Sequence, residues 1–84
     1  MLPDKTYHAV GVQVARLLRE ERERQNISKY ALAERSGLSE QMIGYVERGM
    51  RNPSLETVLR LTQALKVDLG DIVKRAFKAV SKSK

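Results

Sequence analysis

From Tyr7 onward, apolar positions recur three and four residues apart, the period of a helix packed on one side, and no convincing strand appears. A first helix is predicted over about Tyr7 to Gln25, with Val10, Val14, Leu17 and Leu18 on its inner side and Arg16, Arg19, Glu20, Arg22, Glu23 and Arg24 elsewhere. Asn26 reads as its stop, Ile27 as a plug into the core, and Ser28 as the cap of a second helix, Lys29 to Ser36. Gly37 enters the left-handed region at no steric cost, so the chain can turn sharply there, with Leu38 filling the turn. A third helix runs from about Ser39 to Glu47, with Met42, Ile43 and Val46 buried. Gly49 ends it and Pro53 prevents its continuation. Ser54, with Glu56 and Thr57, opens a fourth helix whose Leu55, Val58, Leu59, Leu61 and Leu65 are predicted to face the core. Val67 is a second plug. Asp68 caps a fifth helix with Leu69, Ile72, Val73, Ala76, Phe77 and Val80 on one stripe, and residues 81–84 read as a frayed tail. With no repeat, linker or low-complexity tract, residues 1–84 are expected to form one all-α domain of five helices.

The segment from Lys29 to Arg48 bears most directly on function. Ala33, with only a methyl group, lets the third helix approach the second closely, and Gly37 provides the turn between them. Anchored by Met42, Ile43 and Val46, the third helix leaves its opposite face free, and that face holds Ser39, Glu40, Gln41, Gly44, Tyr45 and Arg48. A helix displaying hydrogen-bonding groups near its N-terminus is what major-groove reading requires, because base edges there present distinguishable donors and acceptors.

Composition narrows the alternatives. Sixteen Lys and Arg against ten Asp and Glu give a formal charge of +6, which favours a polyanionic partner. No cysteine is present, so neither a disulfide nor a thiolate metal site is available, and a reducing cytoplasm suits the chain. The N-terminal MLPDKTYHAVG lacks the basic start and apolar core of a signal peptide, and no apolar run is long enough for a membrane. An enzyme is not expected: His8 is the sole histidine, Asp68 and Asp71 read as helix-start residues, and the five glycines form no phosphate-cradling loop. No metal or cofactor is expected.

The stretch ISKYALAERSGLSEQMIGYVERGMRNPSLETVLRLTQALKVDLGDI resembles the helix-turn-helix domain of the xenobiotic response element (XRE) family, which includes the lambdoid phage repressors and Cro. The likeness covers about residues 14 to 73 and rests on an ordered set: Ser28, Leu32, Ala33, Gly37, Ile43, Glu47, Gly49, then Asn52-Pro53-Ser54-Leu55 and Ala64-Leu65. It implies a compact five-helix, lambda-repressor-like fold that binds duplex DNA, usually as a two-fold dimer on a partly palindromic operator. By the same resemblance, Arg22 and Glu47 correspond to a partly buried ion pair that orients the recognition helix; two solvated surface charges are the alternative. Glu40, Gln41 and Tyr45 correspond to positions that reach base edges, with Ser39 and Gly44 near the phosphates or the groove floor. Gln41 is the best base reader, since an amide pairs with adenine N6 and N7 in two-pronged fashion. Glu40 either accepts from cytosine N4 or serves as favourable charge in the first helical turn. Tyr45 either meets a thymine methyl or a phosphate, or covers the second helix with a half-buried ring. Lys29, Arg48, Arg51 and Asn52 correspond to backbone contacts; Lys29 replaces a glutamine common in the family and suits a phosphate better than a base.

Two departures from the family pattern stand out. Glu21 takes a position that is often apolar, which predicts a slightly turned or more exposed end to the first helix. The apolar stripe of the fifth helix also continues beyond the family's usual core, over about residues 74–80, through Ala76, Phe77 and Val80. That extension is expected either to form a homodimer contact through Phe77 and Val80 or to fold back on the first helix of its own chain. The expected function is sequence-specific binding of double-stranded DNA at a pseudo-palindromic operator, as a dimeric transcriptional repressor reading the major groove with residues 39–47. The alternative is an antitoxin-type or adaptor module that mainly binds a partner protein.

Overall fold

The computed structural model describes residues 3–49 and 52–82, except for the side chain of Asp4. Five helices occupy them: α1 Asp4–Arg24, α2 Lys29–Ser36, α3 Glu40–Glu47, α4 Leu55–Leu65 and α5 Leu69–Lys82. Each boundary has a local cause. The hydroxyl oxygens of Ser28, Ser39 and Ser54 accept from the backbone N–H groups of Ala31, Met42 and Thr57 at 3.0, 3.0 and 3.1 Å, and the Asp68 carboxylate accepts from the Asp71 N–H at 3.0 Å. Gly37 closes α2 at φ 76° with its N–H on the Ala33 carbonyl.

The helices meet around two apolar clusters. The first joins Leu18, Ile27, Leu32, Ile43, Val46, Leu61 and Leu65, with Leu38 and Val67 packed against it as plugs. The second joins Val10 and Leu17 of α1 to Ile72 and Ala76 of α5, the most extensive helix pairing in the molecule. Val14 and Val67 touch both clusters. In this way α3 is backed by α1 and α2, which α4 supports in turn.

Several expectations are corrected. α1 begins at Asp4, a turn earlier than its apolar stripe indicated, with Pro3 as N-cap. Leu55 is 66% exposed and Leu59 is also exposed, whereas Val58, Leu61, Thr62 and Leu65 form the buried stripe of α4. Leu55 is the first residue of its helix, beyond the edge of the core, and Leu59 lies one hundred-degree step round from Val58. Thr62 tolerates burial because its hydroxyl donates to the Leu59 carbonyl at 3.1 Å. α5 continues to Lys82, two residues into the segment expected to fray. Val80 packs against the α1–α5 cluster, so this part of the extension folds back on its own chain, while Phe77 stays 39% exposed.

Glu21 is corrected as well. It is buried, and the C-terminal end of α1 is tied down rather than loosened. The Gln25 amide donates both to Glu21 and to the Leu65 carbonyl, each at 2.8 Å, bridging the ends of α1 and α4. Hydrogen bonds from Arg24 and Gln25 hold the Glu21 carboxyl below its usual pKa against the opposing effect of burial. Leu61→Ala should cost about 2–5 kcal/mol through the cavity it leaves, and Leu55→Ala less than about 0.5 kcal/mol, as read by chemical denaturation.

Candidate nucleic-acid interface

The site is built from behind. The Arg22 guanidinium donates from Nε to Glu47 Oε2 at 2.7 Å and from Nη2 to Glu47 Oε1 at 3.0 Å, a two-pronged pair across 25 residues of chain. Nη1 donates to the Ile27 carbonyl at 2.9 Å, so the same planar group also pins the turn between α1 and α2. The Glu47 side chain is 4% exposed and that of Arg22 is 11% exposed, which excludes the solvated-charges alternative. The hydrogen bond to Glu47 raises the pKa of Arg22 above its ordinary value, with burial opposing. Arginine's fork makes both bonds simultaneously, which a lysine could not.

Arg60 acts similarly on the other side of α2. Its Nη1 donates to the Ser36 carbonyl at 3.2 Å while Nε donates to Glu56 at 3.1 Å. The carbonyl at the end of α2, otherwise without a helical partner, is thereby satisfied from α4. Nothing local reveals this contact, because a surface arginine four residues from a glutamate ordinarily means only a local pair.

Held this way, α3 turns Glu40, Gln41 and the edge of Tyr45 outward. Glu40 sits exposed in the first turn, where its charge complements the helix N-terminus. Gln41 is exposed and its amide donates to the Tyr45 hydroxyl at 3.3 Å. Tyr45 is half-buried, and the Arg48 guanidinium lies over its ring, 5.5 Å from the centroid. The three side chains therefore form one ridge along α3. Ser39 is the N-cap of α3, its hydroxyl oxygen accepting from the Met42 N–H. Gly44 is buried, and a methyl added to it would stand 3.0 Å from Arg48 Nη1, so the missing side chain is the space in which Arg48 rests.

The remaining positions are more scattered. Lys29 is exposed at the first residue of α2, and Tyr30 beside it is exposed as well, an aromatic that the sequence reading left unassigned. Its signal was available: a large ring off the apolar stripe of its own helix. Asn52 is exposed in the segment between α3 and α4. Arg51 lies outside the described residues. Among the described residues no group of acidic, histidine or cysteine side chains could hold a metal ion, and no helix is long and apolar enough to cross a membrane.

Residues 18–72 match a protein-family model described as Helix-turn-helix. Two relatives from Mycobacterium tuberculosis, each named as an uncharacterised HTH-type transcriptional regulator, are 39% identical over 59 residues, 70% of this chain and 42% of theirs. The chain thus aligns with less than half the length of those relatives. A further uncharacterised HTH-type transcriptional regulator, from Sinorhizobium fredii, is 39% identical over 64 residues, 76% of this chain and 78% of that protein. Among solved structures, the restriction-modification controller protein C.AhdI from Aeromonas hydrophila aligns with a TM-score of 0.69 and 39% identity, covering 73% of this chain and 92% of that one.

Glu47→Ala strands a buried guanidinium and should cost about 3–5 kcal/mol in denaturant titrations. Gly44→Ala separates stability from recognition. Alanine is the better helix former by about 1 kcal/mol, so the melting temperature should hold or rise. The added methyl obliges the Arg48 guanidinium to shift by a few tenths of an ångström, so duplex affinity should fall modestly. A lower melting temperature with affinity intact would show that Gly44 serves packing alone.

Proposed function

Because the chain belongs to the helix-turn-helix family of XRE type, whose members bind DNA and regulate transcription, we propose that it is a sequence-specific operator-binding protein, acting as a homodimeric repressor. The observation that carries this reading is the ridge of Gln41, Tyr45 and Arg48 on a helix whose other face is locked by the Arg22–Glu47 pair. Gln41 is the principal base reader through its amide, with Glu40 and Tyr45 beside it at the base edges. Lys29, Ser39, Gly44, Arg48, Arg51 and Asn52 line the path of the sugar-phosphate backbone, where contacts fix register rather than sequence.

Homodimerisation through α5 is supported by Phe77, a large ring left 39% exposed on a helix whose Ile72, Ala76 and Val80 are packed. Two copies then place α3 in successive major grooves about 34 Å apart. Occupying an operator blocks polymerase without any further activity, so repression needs no additional site on the chain.

Selection of bound sequences from a random duplex pool at near-physiological salt tests this reading. Enrichment of a two-fold symmetric motif with half-sites about one helical turn apart is expected. In the selected site, Gln41→Ala should relax preference at one position per half-site and leave binding to unrelated DNA nearly intact. If no motif is enriched and binding merely fades as salt rises, operator recognition is wrong and a protein partner becomes the better reading.

A further inference from the structure

The positive charge of this chain does not sit where the groove-reading unit is. From Lys29 to Arg48, the bases Lys29, Arg35 and Arg48 are matched by Glu34, Glu40 and Glu47, leaving that unit without net charge. α5 instead carries Lys74, Arg75, Lys78 and Lys82 against Asp71. All four cations are exposed and none is in a close ion pair among the described residues, although Arg75 lies near enough to Glu21 to help hold its carboxyl below the usual range. Lys74, Lys78 and Lys82 follow one another at four-residue spacing, so they repel along one helix face, costing a few tenths of a kcal/mol per pair. A purely solvated face gains nothing from that arrangement, whereas an anionic ligand relieves it.

This face is continuous with the end of the recognition helix. Arg16 lines two neighbouring surface depressions. One lies between α1 and the end of α3 and includes Arg19, Arg48 and Gly49. The other lies between α1 and α5 and includes Arg75, Lys78 and Lys82. Each depression also holds one carboxylate, Glu47 bound to Arg22 in the first and Glu20 bound to Arg16 at 2.6 Å in the second, so cations outnumber carboxylates along the track from Arg48 over α1 to α5.

Building on the DNA-binding reading above, we propose that this track binds the sugar-phosphate backbone of DNA flanking the site that α3 reads. α5 then supplies most of the electrostatic attraction, while the charge-balanced α2–α3 unit supplies selectivity. Lys74 to Lys82 spans about 12 Å at 1.5 Å per residue. A duplex presents about seven phosphate charges over that length, so three lysines facing the same way have enough partners. Continuity with Arg48 favours DNA over an acidic protein, because a single duplex reaching past α3 meets both ends of the track.

The variant carrying Lys74→Gln, Lys78→Gln and Lys82→Gln tests the proposal. These positions are exposed, and glutamine forms helix about as well as lysine, so the melting temperature should be unchanged. Affinity is measured between about 50 and 200 mM salt on two duplexes with the same central site, one trimmed at its ends and one extended by about ten base pairs on each side. The unaltered protein should show a steeper salt dependence on the extended duplex. The variant should lose that excess, its log–log slope falling by about two to three units, with sequence preference unchanged. Three results overturn the proposal: no effect of extension on the unaltered protein, an equal slope change on both duplexes, or a variant that matches the unaltered protein throughout. The last would leave the face solvated or assigned to an acidic protein. Failure of the unaltered protein to bind either duplex would instead overturn the DNA-binding reading beneath it.

Discussion

The pairing of Arg22 with Glu47 governs the geometry of this molecule. A single guanidinium joins three places: the C-terminal part of α1, the Ile27 carbonyl in the following turn, and the last residue of α3. A buried ion pair of this kind adds little net stability, since the desolvation of two charges offsets much of their attraction. Its value is directional. Apolar packing of Ile43 and Val46 would permit a range of tilts for a helix of only two turns, whereas two parallel hydrogen bonds to one carboxylate permit few.

The same device recurs at smaller scale. Gln25 reaches the Leu65 carbonyl and Arg60 reaches the Ser36 carbonyl, so the ends of α4 and α2 are finished by side chains from other helices. Helices this short end after a few turns, and each end exposes carbonyls that water or a side chain must meet. Using long polar side chains for the purpose links neighbouring helices at fixed points outside the apolar core. No buried side-chain nitrogen or oxygen among the described residues is left without a partner. The result is a stiff platform under a surface composed of amide, hydroxyl and guanidinium groups.

Much of this was legible in the sequence, for local reasons. Ser28, Ser39 and Ser54 mark helix starts because their hydroxyls serve amides three residues away, and Gly37 marks a turn because its backbone conformation excludes most other residues. The Arg22–Glu47 pair was accessible only through family resemblance, since nothing local connects residues so far apart. Other features are invisible to periodicity. Glu21 reads as a misfit on its helix because burial of a carboxylate depends on Arg24 and Gln25 turning onto it, and on Gln25 also reaching the Leu65 carbonyl 40 residues away. Lys66 gave no sign of its left-handed conformation at φ 58°, which is strained for a side-chain-bearing residue and is held by Lys66 and Val67 amides bonded back into α4. Leu55 and Leu59 misled because periodicity specifies a face and not how far along the helix the core extends. On the reading surface, the exposed positions were legible, but the ridge that ties Gln41 to Tyr45 and Arg48 was not. That ridge depends on side-chain rotamers, with the tip of Arg48 lying beside the Cβ-free Gly44.

The division of the interior into two clusters bears on how the chain is made. Every residue of the cluster around Leu18, Ile43 and Leu61 lies in the segment ending at Leu65, but the α1–α5 cluster needs Ile72 and Ala76 from the last helix. On a ribosome, α1 through α4 can therefore collapse while Val10 and Leu17 still face water. At translation speeds of about 5–20 residues per second, the stretch from Leu65 to Lys82 takes on the order of a second or more to add, so this apolar strip waits at least that long for its partner. During that interval the nascent chain offers a sticky groove shaped for an amphipathic helix. The strongly cationic outer face of α5 keeps that helix soluble as it arrives to close the groove.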